Sequence, residues 1–382
     1  YVMYWWSKAA NITQKKGYKR FGFITTNSLT QVYNRQIIEK YLSSKKPLSL
    51  DFAIPDHPWV DGIDGAAVRI SMTVCSPGEE KGKLWLLKSE KLTDSGGFHI
   101  EFQQFGGKIQ ADLSVGADVS NAAQLRANEN ISTQGVTPLG TGFRLSREEI
   151  TQLGFDIENL PKVIKHYKIG RDLTQKNEER YIIDFYGLQL EEAQAIYPKL
   201  LQIIIERVKP ERDAKVGRSK DADRYARDWW LFAKTRSSFR PALSDIFRYI
   251  ATCRTATHRT FMFLPVNVLP DAKIVGIALS DAYFLGIMSS RIHTKWAIKS
   301  GGWLGVGNDS NYNHSACFVK FPFPGSTSSQ KQKIRELGDR LDTHRKQVQS
   351  THPEITITGM YNLHEKLRAG EPITDKARDY NN

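Results

Sequence analysis

The stretch RFGFITTNSLTQ, residues 20–31, constrains the fold more than any other part of the sequence. A short apolar run ends in a polar cluster, and helical spacing follows as far as Tyr41. This order is typical of open α/β sheets, which carry ligands at the carboxyl ends of their strands. Asn27 and Ser28 can therefore either cap the helix or face a ligand. Only one helical pattern, residues 4–12, precedes the strand, so we expect part of a doubly wound sheet.

The segments after this helix predict the rest of the sheet. Further strands are expected at residues 48–54, 66–75 and 83–88. A short turn joins the last two, so they should form an antiparallel hairpin at the sheet edge. The stretch 96–141 is rich in Gly, Ser, Asn and Gln, which predicts a loose connection with a short helix near 122–128.

A second, α+β region begins near Phe143. Ser146 opens the sequence SREE, which has the pattern of a capping box at a helix start. Strands are expected near 163–169, 181–185, 259–264 and 273–279, and helices near 190–208, 219–233, 282–299 and 330–349. The fold class is therefore α/β with a following α+β domain and a helical C-terminal segment.

The chain is basic, with 54 Lys and Arg against 41 Asp and Glu and a net charge of +13. The excess is concentrated between Lys162 and Arg259, where aromatic residues are interleaved with it. Such a region is a plausible binding surface for a polyanion. A solvated surface over ordinary core aromatics explains the same pattern, and both interpretations stay open.

Three widely separated cysteines, Cys75, Cys253 and Cys317, show no metal-ligand spacing. Their arrangement argues against a structural zinc site and fits a reducing compartment, and we expect no bound metal. No apolar run approaches the roughly 20 residues that a membrane span needs.

Several catalytic patterns are missing from the sequence, among them a Gly-rich turn after the first strand, an Asn-Pro-Pro-aromatic tetrapeptide and a P-loop. The glycines of GVGND, residues 305–309, are expected to form a loop. Asp56, followed by Glu79-Glu80-Lys81, imitates the PD…ExK pattern of nucleases, in which an Asp and a Glu on adjacent strands hold Mg²⁺. Because Glu79 lies beside the turn Pro77-Gly78, the predicted geometry argues against that chemistry.

Five segments in order resemble the MmeI-like type II restriction-modification proteins. They are YWWSKAANI, FGFITTNSLTQ, FAIPDHPWVDGIDGAAVRISMTV, GIMSSRIHTKWAIKSGGWLGVGND and CFVKFPFP. That family fuses a nuclease, an adenine-N6 DNA methyltransferase and a target-recognition domain. The resemblance implies the carboxyl part of a class I methyltransferase sheet at 1–95, a DNA-binding target-recognition domain at 96–325 and a helical segment at 326–382.

The resemblance implies that the family's Gly-rich cofactor turn, catalytic tetrapeptide and nuclease should precede the first residue of this sequence. We therefore expect S-adenosylmethionine to serve the full-length enzyme but to bind poorly to this chain, which should not transfer a methyl group alone. The implied partners are double-stranded DNA and the N-terminal half of the same polypeptide, in a bacterial cytoplasm. An alternative is a specificity subunit that acts in trans with separate catalytic chains.

Adenine methylation on duplex DNA requires a flipped base, and aromatic stacking can hold such a base. In related adenine methyltransferases an aromatic residue precedes a strand of the sheet by about seven residues. Counting back from Ala66, the resemblance places Trp59 in this role. Asn27 and Ser28 should lie at the same rim, and a tryptophan packed under a loop is the alternative for Trp59.

Base recognition is expected in the basic domain, at RYIATCRTATHRTF, residues 248–261. The candidates for base contacts are Thr252, Arg254, Thr255, His258 and Arg259. The candidates for phosphate contacts are Lys234, Arg236 and Arg240, with Arg171 and Lys220 as further basic candidates. A solvated charged surface is the alternative for each of these side chains.

Overall fold

The structure is a computed structural model that describes residues 2–59, 68–93, 98–116, 119, 122–304, 309–370 and 372. Its contacts divide the chain into two compact units. The first comprises Tyr1–Gln124 and Thr294–Phe321, and the second comprises Leu125–His293 and Pro322–Asn382. These units do not coincide with the boundaries at 95 and 325 that the sequence suggested.

The described residues contain sixteen strands and twelve α-helices. The strands are β1 Phe21–Thr26, β2 Leu48–Pro58, β3 Arg69–Pro77, β4 Gly82–Leu92, β5 Phe98–Gly107, β6 Ser132–Gln134, β7 Arg144–Leu145, β8 Ile164–Lys168, β9 Tyr181–Ile183, β10 Arg248–Cys253, β11 Thr255–Ala256, β12 Met262–Pro265, β13 Val268–Pro270, β14 Ile274–Ile277, β15 Trp303–Leu304 and β16 Asp309–Asn311. The helices are α1 Val2–Lys16, α2 Val32–Leu42, α3 Arg147–Gln152, α4 Gly170–Thr174, α5 Leu190–Ile196, α6 Pro198–Arg207, α7 Lys209–Asp213, α8 Lys220–Arg227, α9 Ala282–Met288, α10 Arg291–Gly301, α11 Ser328–Thr351 and α12 Ile357–Ala369.

The first unit is built on a five-stranded sheet in the order β1-β3-β2-β4-β5. β3 runs antiparallel to both β1 and β2, whereas β4 runs parallel to β2. The predicted hairpin between the third and fourth strands is therefore wrong, because β3 lies between β1 and β2. The expected loose connection after residue 96 is also partly wrong, since β5 pairs with β4 along its whole length.

Two helices cover this sheet with apolar side chains. Trp6 of α1 and Ile38 of α2 are fully buried in the same core as Leu50 of β2. The Trp6 indole N–H donates a hydrogen bond to Thr73 Oγ1 on β3 at 3.3 Å, which satisfies the polar atom inside the core. The helical pattern at the start of the chain is thus explained by packing on the sheet.

The entry into α2 differs from the sequence expectation. A 3₁₀ turn at Asn27–Thr30 precedes the helix, and Gln31 occupies its N-cap position without a side-chain hydrogen bond. The prediction that Asn27 or Ser28 caps α2 is therefore wrong. Both side chains are engaged at the edge of the sheet instead.

The second unit contains two four-stranded sheets, ordered β12-β10-β14-β6 and β13-β8-β9-β7. The capping box at Ser146 is confirmed, because its hydroxyl accepts from the Glu149 N–H while the Glu149 carboxylate accepts from Ser146 N–H. The long helix expected at 190–208 is broken into α5 and α6 at Tyr197, where Pro198 begins the second helix. β10 was not predicted, because its residues were assigned to a recognition loop.

The C-terminal segment is helical as expected. α11 covers the helix predicted at 330–349, and the tail that follows contains a second helix, α12. Within the described residues no helix combines the length and apolarity of a membrane span. The three cysteines are buried and form no disulfide.

Candidate functional site

The carboxyl ends of β1 and β2 lie at the same end of the first sheet, because both strands run antiparallel to β3. Ile70 of β3 pairs with Thr26 on one side and with His57 on the other. This end of the sheet is called the rim below. It carries the polar residues that follow β1 and those that end β2.

An ionic network connects the rim residues. Asn27 Nδ2 donates to Asp56 Oδ1 at 3.2 Å, and Arg69 Nε lies 2.7 Å from both carboxylate oxygens of Asp56. Arg69 also donates to Glu90 Oε2 at 3.0 Å. Burial alone would lower the pKa of Arg69, but the hydrogen bonds and charges of Asp56 and Glu90 outweigh it and raise that pKa.

Trp59 follows β2 at this rim, and its backbone N–H donates to Val68 O at 2.9 Å. The residue as a whole is 45% exposed. The Ser28 hydroxyl lies 2.6 Å from Thr26 Oγ1, which fixes the turn after β1. The structure thus brings Trp59, Asn27 and Ser28 to the rim, while residues 60–67 of the loop lie outside the described residues.

The nuclease alternative fails on geometry. Glu79 follows Pro77, whose partner on β2 is Leu48, whereas Asp56 lies beside the Ile70 end of β3. Seven residues of strand separate these ends, about 23 Å at 3.3 Å per residue. Asp56 is moreover held by Arg69, and no group of three or more His, Cys, Asp or Glu within the described chain is placed to hold a metal.

The predicted recognition loop at 248–261 is corrected by the structure, because its first half is the buried strand β10. Thr252 is 1% exposed and donates its hydroxyl proton to Thr260 O at 2.7 Å. Arg259 is also buried and donates to Thr252 Oγ1 at 3.1 Å and to Cys253 O. In this fold neither side chain is available to a base.

The remaining members of that loop have different surroundings. Thr255 is exposed and Arg254 is partly buried. His258 contacts α12, where its Nε2 lies 2.6 Å from Asn362 Oδ1 and its Nδ1 lies 3.4 Å from Glu365 Oε1. His258 therefore fastens α12 to the loop, and its ring nitrogens are occupied within the chain.

The segment 234–240 likewise separates into structural and available residues. Arg240 donates to both oxygens of Asp184, at 2.6 and 3.2 Å, and its guanidinium lies over the Tyr186 ring. This corrects the expected phosphate contact, because the Arg240 charge is already compensated. Lys234 is exposed, and so are Arg171 in α4 and Lys220 in α8.

Arg236 lies at one end of the β12-β10-β14-β6 sheet, and it donates from Nε to Gly135 O at 2.9 Å. Gly135 N–H in turn donates to Ile274 O at 2.8 Å, and Arg254 N–H donates to Lys273 O at 2.7 Å. The strand register therefore places four polar side chains at this sheet end. They are Gln134, Arg236, Arg254 and Lys273.

A cavity of about 160 Å³ adjoins this sheet end. Its wall includes the apolar residues Phe239, Leu243 and Val268, with the cationic groups of Lys165 and Arg236 at its lining. Burial lowers the pKa of Lys165, and the charge of Arg240 adds to this, while Asp184 opposes both. At the sheet end itself, Asp271 Oδ1 accepts a hydrogen bond from Lys273 N–H at 2.8 Å.

Gln134 and Lys273 were not singled out by the sequence. Both lie at ends of short strands, β6 and the start of β14, and no local pattern marks the ends of a four-stranded sheet that forms from distant segments. A glutamine in a polar stretch carries too little signal on its own.

Comparison with known protein families gives a match over residues 120–325. A family model described as the MmeI target recognition domain matches residues 120–325. The chain belongs to this family. The resemblance suggested by the sequence is thereby confirmed for the segment that carries most of the basic residues.

Two further comparisons extend over nearly the whole chain. DNA methyltransferase A of Bacillus subtilis (strain 168) is 24% identical over 380 residues, which are 95% of this chain and 40% of that protein. The type IIL restriction-modification enzyme MmeI, solved in complex with DNA, matches with a TM-score of 0.71 and 21% identity over 94% of this chain and 45% of that one. The shared fold confirms the predicted fold class.

The chain thus spans about 40% of the length of the curated relative it matches. The type IIG restriction endonuclease BpuSI matches at a TM-score of 0.31 and 11% identity, over 84% of this chain and 42% of that one, which is too low to support an argument.

Proposed function

We propose that this chain recognises a DNA sequence on behalf of an adenine-N6 DNA methyltransferase in a restriction-modification enzyme. The observation that carries the proposal is membership in the target recognition domain family over residues 120–325. The sheet end with Arg236, Arg254 and Lys273 supplies the positive charge that DNA phosphates require. Gln134 and Thr255 add neutral groups suited to base edges.

The first unit supports a place within one longer polypeptide. β1 is the edge strand of its sheet, and on its outer side it pairs with no other strand among the described residues. An edge of this kind can accept further strands, and we assign them to the N-terminal half of the enzyme. The relative from Bacillus subtilis holds the matching 380 residues inside one longer chain, which favours this arrangement over a separate specificity subunit.

The rim residues do not fit S-adenosylmethionine. Asn27 and Ser28 are hydrogen-bonded within the chain, to Asp56 and Thr26, and the turn after β1 contains no glycine. The proposal therefore assigns the cofactor to the N-terminal half and gives this chain the roles of binding DNA and holding the target base.

Binding of duplex DNA by this chain tests the proposal. The logarithm of the affinity should fall linearly with the logarithm of the salt concentration, by at least about tenfold between about 50 and 200 mM. The reason is that Lys and Arg side chains displace counterions from the phosphates when the protein binds. The measurement is a fluorescence-anisotropy titration at several salt concentrations. Selection from a random duplex library should also enrich one sequence motif. Affinity that is indifferent to salt, or a library without enrichment, overturns the proposal.

Replacing Trp59 by alanine in the full-length enzyme is expected to slow adenine methylation by about 10- to 100-fold. The reason is the loss of base–aromatic stacking, which is worth about 1–3 kcal/mol per base. Trp59→Phe should retain most of the activity. The measurements are the methylation rate and the fluorescence of 2-aminopurine at the target position, which reports base flipping.

A matched control for this prediction is Tyr18→Ala. Tyr18 is also an exposed aromatic of the first unit, but it precedes β1 and so lies at the strand end opposite the rim. Its replacement should leave methylation within about twofold of the wild type, well inside the stacking effect. Methylation and base flipping that are unchanged in Trp59→Ala would exclude a stacking role.

A further inference from the structure

Arg236 has an unusual backbone for its residue type. Its φ angle is +59°, in the left-handed region that side chains other than glycine seldom adopt. The conformation turns the chain so that Arg236 Nε reaches the Gly135 carbonyl at 2.9 Å. A strained residue of this kind persists only where the surrounding structure holds it, and such residues concentrate at binding sites.

Arg254 reaches the same sheet end from β10, which β14 separates from β6. It directly follows β10, and its backbone N–H is bonded to Lys273 O at 2.7 Å. Its side-chain Nε is buried and has no hydrogen-bond partner within the described chain. A buried guanidinium nitrogen without a partner is costly unless a ligand supplies the acceptor.

The two guanidinium groups also lack a counterion. Neither Arg236 nor Arg254 forms an ion pair with a carboxylate in the part of the chain that the structure describes, whereas Arg240 in the same loop is paired with Asp184. Burial lowers the pKa of Arg236, and the positive charge of Arg254 lowers it further. The two charges therefore repel each other at this sheet end.

An anion between two such groups removes the repulsion. A phosphodiester offers a full negative charge and two oxygens, and guanidinium forks match this geometry. A guanine edge offers two acceptors but no net charge, so it leaves the repulsion in place. The balance of charge favours the DNA backbone.

We propose that Arg236 and Arg254 together clamp a single backbone phosphate of the bound DNA. The inference rests on the proposed function, which it deepens by assigning a register contact. It also reassigns Arg254, which the sequence suggested as a reader of bases. Base recognition then falls to neighbouring groups at the sheet end, for which the clamped phosphate sets the register.

The test uses this chain as Arg236→Gln, Arg254→Gln and the double variant, with duplexes of mixed sequence over a range of salt. Each single variant should bind about tenfold more weakly and lower the salt slope by about one, because one phosphate contact is lost. The double variant should lose little beyond either single variant, and its slope should again fall by only about one. Arg254→Lys keeps the charge and should recover part of the affinity.

Arg147→Gln is the matched control. Arg147 is an exposed arginine of the same unit whose charge is paired with Glu179 at 2.9 Å, so its replacement should change the affinity less than about twofold. Equal melting temperatures of all variants and the wild type establish that the fold is kept. If Arg254→Gln melts early, Arg254→Lys provides the comparison.

Four outcomes overturn the clamp. If the double variant loses affinity by the product of the two single losses, and its salt slope falls by about two, the two arginines contact separate phosphates. A changed motif from library selection by Arg254→Gln means base recognition. If the variants bind as tightly as the wild type, and wild-type binding still weakens with salt, the clamp is overturned and the proposed function is not. A wild type that binds no DNA overturns the proposed function along with it.

Discussion

Replacing Arg212 by methionine is expected to destabilise the second unit by about 3–5 kcal/mol, among the largest effects that a single substitution produces. Arg212 is 4% exposed, and its guanidinium is held by backbone carbonyls instead of a carboxylate. The two hydrogens of Nη1 are shared among the carbonyl oxygens of Tyr225, Asp228, Trp229 and Leu231, at 2.8–3.4 Å, and Nη2 donates to Pro138 O at 2.8 Å.

The direction of this effect follows from what methionine leaves behind. Burial lowers the pKa of Arg212 to about 10, so removal of the charge recovers some desolvation energy. Against this, five carbonyls lose a charged donor. Asp228 O keeps the Leu231 N–H at 3.0 Å, whereas each buried acceptor left without any donor costs about 1–3 kcal/mol. The guanidinium also lies over the Phe143 ring at 5.3 Å, a contact that methionine replaces only in part.

Urea unfolding of the wild type and the variant measures the difference directly. Arg212→Lys keeps the charge but reaches fewer carbonyls, so its loss should be intermediate. Arg218→Met is the control, since Arg218 is exposed a few residues further along the chain and should change stability by less than about 0.5 kcal/mol. A loss below about 1 kcal/mol in Arg212→Met would show that water replaces the guanidinium.

Local sequence patterns succeeded where one segment determines its own structure. The capping box of Ser146 and Glu149 was found because both partners lie within one helical turn. Strand β1 was found from its apolar run. The pairing of strands was not found, because β3 enters between β1 and β2 through contacts that the periodicity of a single strand does not encode.

The candidate site was predictable in part for the same reason. Arg236 and Arg254 were recognised as basic residues in basic stretches, but 18 positions separate them, and only the sheet register brings them together. Thr252 was misplaced because the pattern of β10 did not show that this threonine is buried, and Arg259 because its partners Thr252 and Cys253 belong to that strand. The partner of Arg240 lies 56 residues away, so no local pattern distinguishes a paired arginine from an available one.

That partner gives the second large effect, for Asp184→Ala. The Asp184 side chain is 3% exposed and accepts two hydrogen bonds from Arg240. Its removal leaves the Arg240 charge partly buried without compensation, close to the cationic Lys165, which is also partly buried. Loss of one partner from a buried ion pair costs about 3–5 kcal/mol, and we expect a destabilisation in this range.

The loss should extend to DNA binding, because Arg240 also donates to Thr235 O at 2.9 Å and so fixes the segment that presents Arg236. Urea unfolding and anisotropy titration on the same variant measure both effects. In the background of Arg240→Leu, Asp184→Ala should cost at least about 2 kcal/mol less, since the uncompensated charge is gone and the two sites are coupled. Asp245→Ala, at an exposed position near the same loop, serves as the control. Additive losses in the double variant would mean that Asp184 stabilises the unit through its hydrogen bond to the Tyr186 backbone, at 3.3 Å, instead of through Arg240.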